Sequence, residues 1–169
     1  MATYLFDTIT AAQALAVTPT DNIIVQNGTA TGAAVAYNAA TATTTDTITL
    51  TIGAKSVTFA PAIANIAQNG NVILPDGTLL YVGYTGADDT TGVTGWGTAN
   101  ASNDAAFGGT GNDTLNGQGG NDLLQGNQGN DSLVGGAGND TVYGGQNDDR
   151  IDGGVGSNFL QGNKGADTI

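Results

Sequence analysis

Fifteen carboxylates, all of them Asp, are the side chains whose type and spacing could do chemistry in this 169-residue chain. Cys, His and Glu are absent. That excludes thiolate nucleophiles, Ser-His-Asp and Cys-His constellations, and the usual zinc, copper and iron ligand sets. Oxygen alone is left as a ligand, and oxygen-rich sites suit hard cations, calcium above all. Against the Asp residues stand only Lys55, Lys164 and Arg150, a net charge of −12. Nucleic acid is excluded as a partner, because binding phosphates needs clustered Lys and Arg to release counterions.

Nine of the Asp lie in residues 99–169, most of them in a strict nine-residue phase. The clearest units are Gly-Gly-Thr-Gly-Asn-Asp-Thr-Leu-Asn (108–116), Gly-Gln-Gly-Gly-Asn-Asp-Leu-Leu-Gln (117–125), Gly-Asn-Gln-Gly-Asn-Asp-Ser-Leu-Val (126–134) and Gly-Gly-Ala-Gly-Asn-Asp-Thr-Val-Tyr (135–143). Looser units follow at 144–152, 153–161 and 162–169, and a degenerate one at 99–107 precedes them. The eighth position is always aliphatic: Leu115, Leu124, Leu133, Val142, Ile151, Leu160 and Ile169. A flexible Gly-rich linker has no reason to keep that phase.

The pattern describes a coil in which a Gly-rich turn alternates with a very short strand, each strand pointing one aliphatic side chain inward. With two nonapeptides to a turn, the sixth positions form two columns. One is Asp104, Asp122, Asp140 and Asn158; the other is Asp113, Asp131, Asp149 and Asp167. Carboxylates at an inter-strand spacing of about 4.8 Å repel by roughly 3 kcal/mol at an effective dielectric of 20. The stack therefore calls for cations, and the glycines allow the turns to aim carbonyl oxygens at them.

Residues 1–98 are built differently, with 10 Gly and 21 Thr against 18 Gly in the remainder. Asn22-Ile-Ile-Val-Gln26 before Asn27-Gly28, Asp46–Ile52, and Lys55–Phe59 across the Gly53-Ala54 turn read as hairpin strands. Asn71–Leu74 and Thr78–Tyr84 around Pro75-Asp-Gly77 read as a further hairpin. Short helices are expected at Ala11–Ala16, capped by Thr8 or Thr10, and at Ala62–Ala67. The fold class is all-β: a small N-terminal β-rich domain (1–98) followed by a right-handed parallel β-roll (99–169). No apolar run reaches the length of a spanning helix, and Met1–Asp7 lacks the basic start of a secretory signal, so the chain is not expected to be transmembrane.

The nine-residue units resemble the RTX (repeats-in-toxin, haemolysin-type) calcium-binding nonapeptide, G-G-x-G-x-D-x-U-x. The resemblance implies a parallel β-roll that is disordered without calcium, type I secretion, and a place outside a Gram-negative cell or on its surface. It also implies ions held between loops 18 residues apart. One loop supplies the carbonyls of positions 2 and 4 and its Asp; the partner loop supplies the carbonyls of positions 1 and 3 and its own Asp. Carried over, Gly109, Gly111 and Asp113 pair with Gly126, Gln128 and Asp131. Gln118, Gly120 and Asp122 pair with Gly135, Ala137 and Asp140, and Asn127, Gly129 and Asp131 with Gly144, Gln146 and Asp149.

Three further sites depart from the pattern. Asn100, Ser102 and Asp104 would pair with Gly117, Gly119 and Asp122, although the first loop lacks glycines. Gly136, Gly138 and Asp140 face Gly153, Val155 and Asn158, where a neutral amide stands for the carboxylate and should weaken binding. Gly145, Asn147 and Asp149 face Gly162, Lys164 and Asp167, with Asn in place of the position 4 glycine.

The functional expectation is a non-enzymatic, calcium-binding extracellular structural protein that self-assembles into a surface layer, sheath or filament through the open ends of the roll. The alternative is a module of a longer type I-secreted adhesin, toxin or hydrolase, because the chain stops at Ile169 without a polar cap. A cell-surface glycan or lipopolysaccharide is a further candidate partner, with Trp96, Tyr81 and Tyr84 beside Asp88-Asp89 as a possible platform. For those aromatics, capping the N-terminal core and the first rung is the simpler reading, and for Asp88, Asp89 and Asp148 a solvated acidic turn is.

Overall fold

A computed structural model of the protein describes residues 3–6, 8–15, 22–24, 33–38, 47–59, 72–73, 80–82 and 102–169. The expected Asn27-Gly28 turn, the Ala62–Ala67 helix, the Pro75-Asp-Gly77 turn, Tyr84, Asp88-Asp89, Trp96 and Asn100 lie outside the described residues, as does the side chain of Tyr81.

In the N-terminal part, β1 (Thr3–Leu5) is followed by α1 (Ala11–Leu15). Thr10 caps this helix. Its Oγ1 accepts the Gln13 N–H at 3.3 Å, and the Gln13 side-chain oxygen accepts the Thr10 N–H at 2.9 Å, a reciprocal capping box.

Strands β3 (Ala33–Asn38), β4 (Thr47–Ile52) and β5 (Lys55–Phe59) form an antiparallel sheet in which β4 is central. The period of two places Ile48, Leu50, Ile52, Val57 and Phe59 in the core. On the opposite face the Thr49 and Thr58 hydroxyls bond at 2.8 Å, as do Thr51 and Ser56. Gly53, at φ +60°, turns the β4–β5 hairpin as expected.

Two of the expected hairpins are replaced by parallel pairings. Strand β2 (Asn22–Ile24) lies parallel between β1 and β6 (Val72–Ile73). Strand β7 (Leu80–Val82) does not fold back on β6; it pairs in parallel with β8 (Ala105–Thr110), Leu80 against Ala105 and Val82 against Phe107. The physical reason is visible in composition. Ile23-Ile24-Val25 and Leu79-Leu80-Tyr81-Val82 are continuous apolar runs, the mark of strands buried on both faces in parallel sheets rather than of half-solvated hairpins.

From β8 onward the chain coils. Strands β8, β10 (Leu123–Gln128), β12 (Thr141–Gln146) and β14 (Phe159–Lys164) form one parallel sheet, with β7 on its outer edge. Strands β9 (Thr114–Asn116), β11 (Ser132–Val134) and β13 (Arg150–Asp152) form the facing one. From β8 to β14 every register pairs residues 18 apart, such as Leu124 with Val142 and Leu133 with Ile151, so two nonapeptides make one turn.

Ala106, Leu115, Leu124, Leu133, Val142 and Ile151 fill the inside of the coil, while Leu160 at the far end is only partly buried. Ala105 and Phe107, the alternate residues of β8, face outward into the N-terminal core with Phe6, Ile9, Leu50, Phe59 and Leu80. A sheet and an apolar cluster thus both cross residue 98. The coil also lacks the second open end expected of its longer sheet, because β7 covers β8 and leaves β14 as the free edge among the described residues.

Candidate metal centre

The turns owe their shape to two left-handed residues each. Position 2 has positive φ in every unit from Gly109 to Asn163, and so does position 4 from Gly111 to Gly165. Where these are not glycine they are Asn or Gln (Gln118, Asn127, Asn147, Asn163); Asn tolerates this region through local side-chain bonding. At the position 4 glycines Gly120, Gly129, Gly138, Gly156 and Gly165 a side chain would also collide with the preceding turn, although Asn147 carries one at this position. A Cβ on Gly129, at φ +132°, would overlap the Gly111 carbonyl oxygen of the preceding turn.

Two side-chain ladders tie successive turns together. At position 6, Oδ1 of each residue accepts the backbone N–H of its counterpart one turn earlier. Asp122 accepts from Asp104 at 2.8 Å, Asp140 from Asp122, Asp131 from Asp113 and Asp149 from Asp131 at 2.9 Å, and Asp167 from Asp149 at 3.0 Å. At position 5 the direction reverses: Asn103, Asn112, Asn121, Asn130 and Asn139 accept the N–H of the residue one turn later, at 2.7–3.1 Å. The second ladder was not anticipated, although Asn at the fifth position of five successive units was its signal. It also takes in Asp148, which the sequence places in a solvated acidic turn and which is exposed there. Asp148 donates its N–H to Asn130 and accepts that of Ala166 at 2.8 Å, replacing Asn in the ladder.

The other carboxylate oxygen is left over. Oδ2 of Asp113, Asp122, Asp131, Asp140 and Asp149 is buried and has no hydrogen-bond partner, in residues only 1–3 % exposed. Each of these oxygens crowds the bare Cα of the position 1 glycine in its own loop, together with the position 1 carbonyl oxygen of the next turn. A Cβ on Gly135 would stand 2.5 Å from Asp140 Oδ2 and 2.8 Å from the Gly153 carbonyl oxygen. The same convergence joins Asp113 with Gly126, Asp122 with Gly135, Asp131 with Gly144 and Asp149 with Gly162. A buried acceptor without a donor is costly; five of them, each beside a second acceptor, specify a missing positive charge.

Protonation shows the same strain. Burial, and after it the neighbouring carboxylates of the column, push Asp122 and Asp131 up to about 7 against the opposing N–H bonds from Asp104 and Asp113. Burial also raises Asp140 and Asp149.

Of the residues assigned by resemblance, the Asp of positions 6 and the position 1 glycines Gly126, Gly135, Gly144, Gly153 and Gly162 are brought together. Carbonyls at positions 2 and 3 also accept bonds between turns. Gln128, Ala137, Gln146 and Val155 accept N–H from Gly111, Gly120, Gly129 and Gly138 at 2.8–3.2 Å, while Gln118 and Gly136 accept from Ala137 and Val155. Each keeps a second lone pair. The Ser102, Gly111, Gly120, Gly138 and Asn147 carbonyls press against the position 4 glycine one turn later, and those of Gln118, Asn127 and Gly136 against the position 2 glycine. Gly117 donates its N–H to Val134, and Gly119 bridges to Ala137. Asp104 is buried at the first turn, whereas Lys164 is exposed at the last.

The donor set fits a hard cation. It offers carboxylate and carbonyl oxygens only, and among the described residues no three carboxylates cluster. Asp and the paired position 1 carbonyl would hold the ion, which would supply the charge those oxygens lack.

A family profile for the RTX calcium-binding nonapeptide repeat (4 copies) matches residues 98–133, 125–160 and 152–169. Residues 98–169 are RTX repeats. RTX nonapeptide repeats are calcium-binding, so calcium is the cation that the orphaned oxygens await. RTX repeats are also typical of secreted proteins, and among the described residues no helix is long and apolar enough to cross a membrane. Neither curated proteins nor solved structures yielded a match to the chain.

Proposed function

We propose that this is a non-enzymatic, extracellular structural protein whose RTX roll folds on calcium and whose subunits self-assemble into a surface layer, sheath or filament on a Gram-negative cell. The observation that carries the calcium-dependent folding is the set of five buried Oδ2 atoms without a donor. Assembly draws support from the far end of the roll. There β14 has a free edge among the described residues, and Val155, Phe159 and Ile169 are 76 %, 54 % and 65 % exposed. Free strand edges and exposed apolar rungs invite partners.

The same end supports a second reading, in which the roll is the folding and export device of a longer type I-secreted adhesin, toxin or hydrolase and a further turn of that chain covers β14. Negative-stain microscopy of the protein stripped with chelator and returned to millimolar calcium separates the two. Ordered sheets or filaments that dissolve again in chelator are the expected result. Monodisperse particles in both conditions would contradict assembly and favour the second reading.

A further inference from the structure

One loop of the roll has solved the missing-charge problem without a metal. Position 6 of the 153–161 unit is Asn158, and its side chain keeps one half of the Asp pattern, with Oδ1 accepting the Asp140 N–H at 2.9 Å. The other half is inverted. Where the five Asp loops place an orphaned Oδ2, Asn158 places Nδ2, which donates to the carbonyl oxygen of Gly153 in its own loop at 2.8 Å. A Cβ on Gly153 would stand 2.9 Å from this nitrogen, the position that the Asp oxygen takes at Gly108, Gly117, Gly126, Gly135 and Gly144. One atom has changed from acceptor to donor, and the loop closes with its polar groups satisfied.

The Gly153 carbonyl is also the oxygen that converges on Asp140 Oδ2 from the next turn. The amide of Asn158 therefore engages the carbonyl that the Asp140 site would offer a cation, besides removing the second carboxylate. We infer that Asn158 is a built-in substitute for a calcium ion: its Nδ2–H holds the Gly153 carbonyl in the cation's stead, so that this turn closes without metal and its column binds one ion fewer than its Asp pattern would otherwise allow. This rests on the calcium reading of the roll. It makes the two columns unequal, with Asp113, Asp131, Asp149 and Asp167 uninterrupted on one edge and the amide terminating Asp104, Asp122 and Asp140 on the other.

The test is the number of calcium ions bound by the full chain at saturation, measured by equilibrium dialysis, with far-UV circular dichroism following folding against calcium. Asn158→Asp should bind one ion more than the wild type and need more calcium to fold. Asn158→Ala, which removes both the Nδ2 donor and the Oδ1 acceptor without adding charge, should leave the ion count unchanged and reduce the folding equilibrium constant roughly thirtyfold, the worth of two net hydrogen bonds. An Asn158→Asp variant with the wild-type ion count, or an Asn158→Ala variant that folds like the wild type, would overturn the role of Asn158 alone. A wild type that takes up no calcium would overturn the calcium reading along with it.

Discussion

The antiparallel sheet β3–β5 and the RTX roll are both β-structure, yet they solve the burial of polar atoms in opposite ways. In β4 and β5 the alternation is complete: aliphatic and aromatic residues face inward, while Thr49, Thr51, Ser56 and Thr58 pair their hydroxyls on the other face. The roll points only one aliphatic residue per nine into its coil and closes its turns around carboxylates whose Oδ2 atoms have no donor. The lesson is that the hairpin sheet carries its stability in its own side chains, whereas the roll stores a deficit that an external cation must fill. At free calcium a thousandfold above a site's Kd, each ion bound only by the folded state stabilises it by about 4 kcal/mol.

Equal cavities should sharpen this contrast. Leu50 in the sheet and Leu133 in the roll are both buried to within 1 %, and replacing either with Ala should cost about 2–5 kcal/mol. Calcium should offset only one of these losses. Leu133→Ala is expected to raise the calcium concentration at half-folding of the roll, and Leu50→Ala to lower the melting temperature of the sheet while leaving that midpoint in place. Calcium titrations followed by residue-resolved hydrogen exchange would check both.

Smaller effects are expected from the two regions' left-handed glycines. Gly53 has φ +60° and open space around it, so Gly53→Ala should cost about 1–2 kcal/mol from the backbone alone. Gly129→Ala meets the Gly111 carbonyl as well and should cost visibly more in a denaturant titration. Equal losses would mean that the turns of the roll relax freely and are not held in register by the two ladders.

Acidity offers the gentlest probe. Asp122 and Asp131 are raised from 3.8 to about 7 in the folded roll, so their protonated forms favour folding. Their contribution is fully present below pH 3.8 and is lost as the pH rises through about 7. In chelator, acidification from pH 8 to pH 4 should therefore increase the strand signal of the roll in far-UV circular dichroism. A roll that loses strand signal over that range would contradict the burial of these carboxylates.

How much of this was legible in the sequence follows the same divide. Each position of the nonapeptide does one job at one place, so the 18-residue register, the inward Leu115–Leu160 row and the two Asp columns could be read directly. The Asn ladder was hidden because Asn at position 5 looks like ordinary turn chemistry until the turns are stacked. In the N-terminal part, the hairpin at Gly53 and the start of α1 were legible from local signals. The parallel β1–β2–β6 sheet was not, and neither was the β7 cover over β8. Those pairings join strands far apart in sequence through a shared core, and no local pattern names the partner. Strand β3 was also missed, since its Ala-rich run gives a weak alternation.

The central claim, that the polar deficit lies in the roll and calcium fills it, is tested most directly by hydrogen exchange at neutral pH with and without chelator. The account predicts that removing calcium abolishes amide protection from residue 113 to residue 164 while protection at residues 47–59 persists. Protection retained throughout the roll in chelator would contradict it.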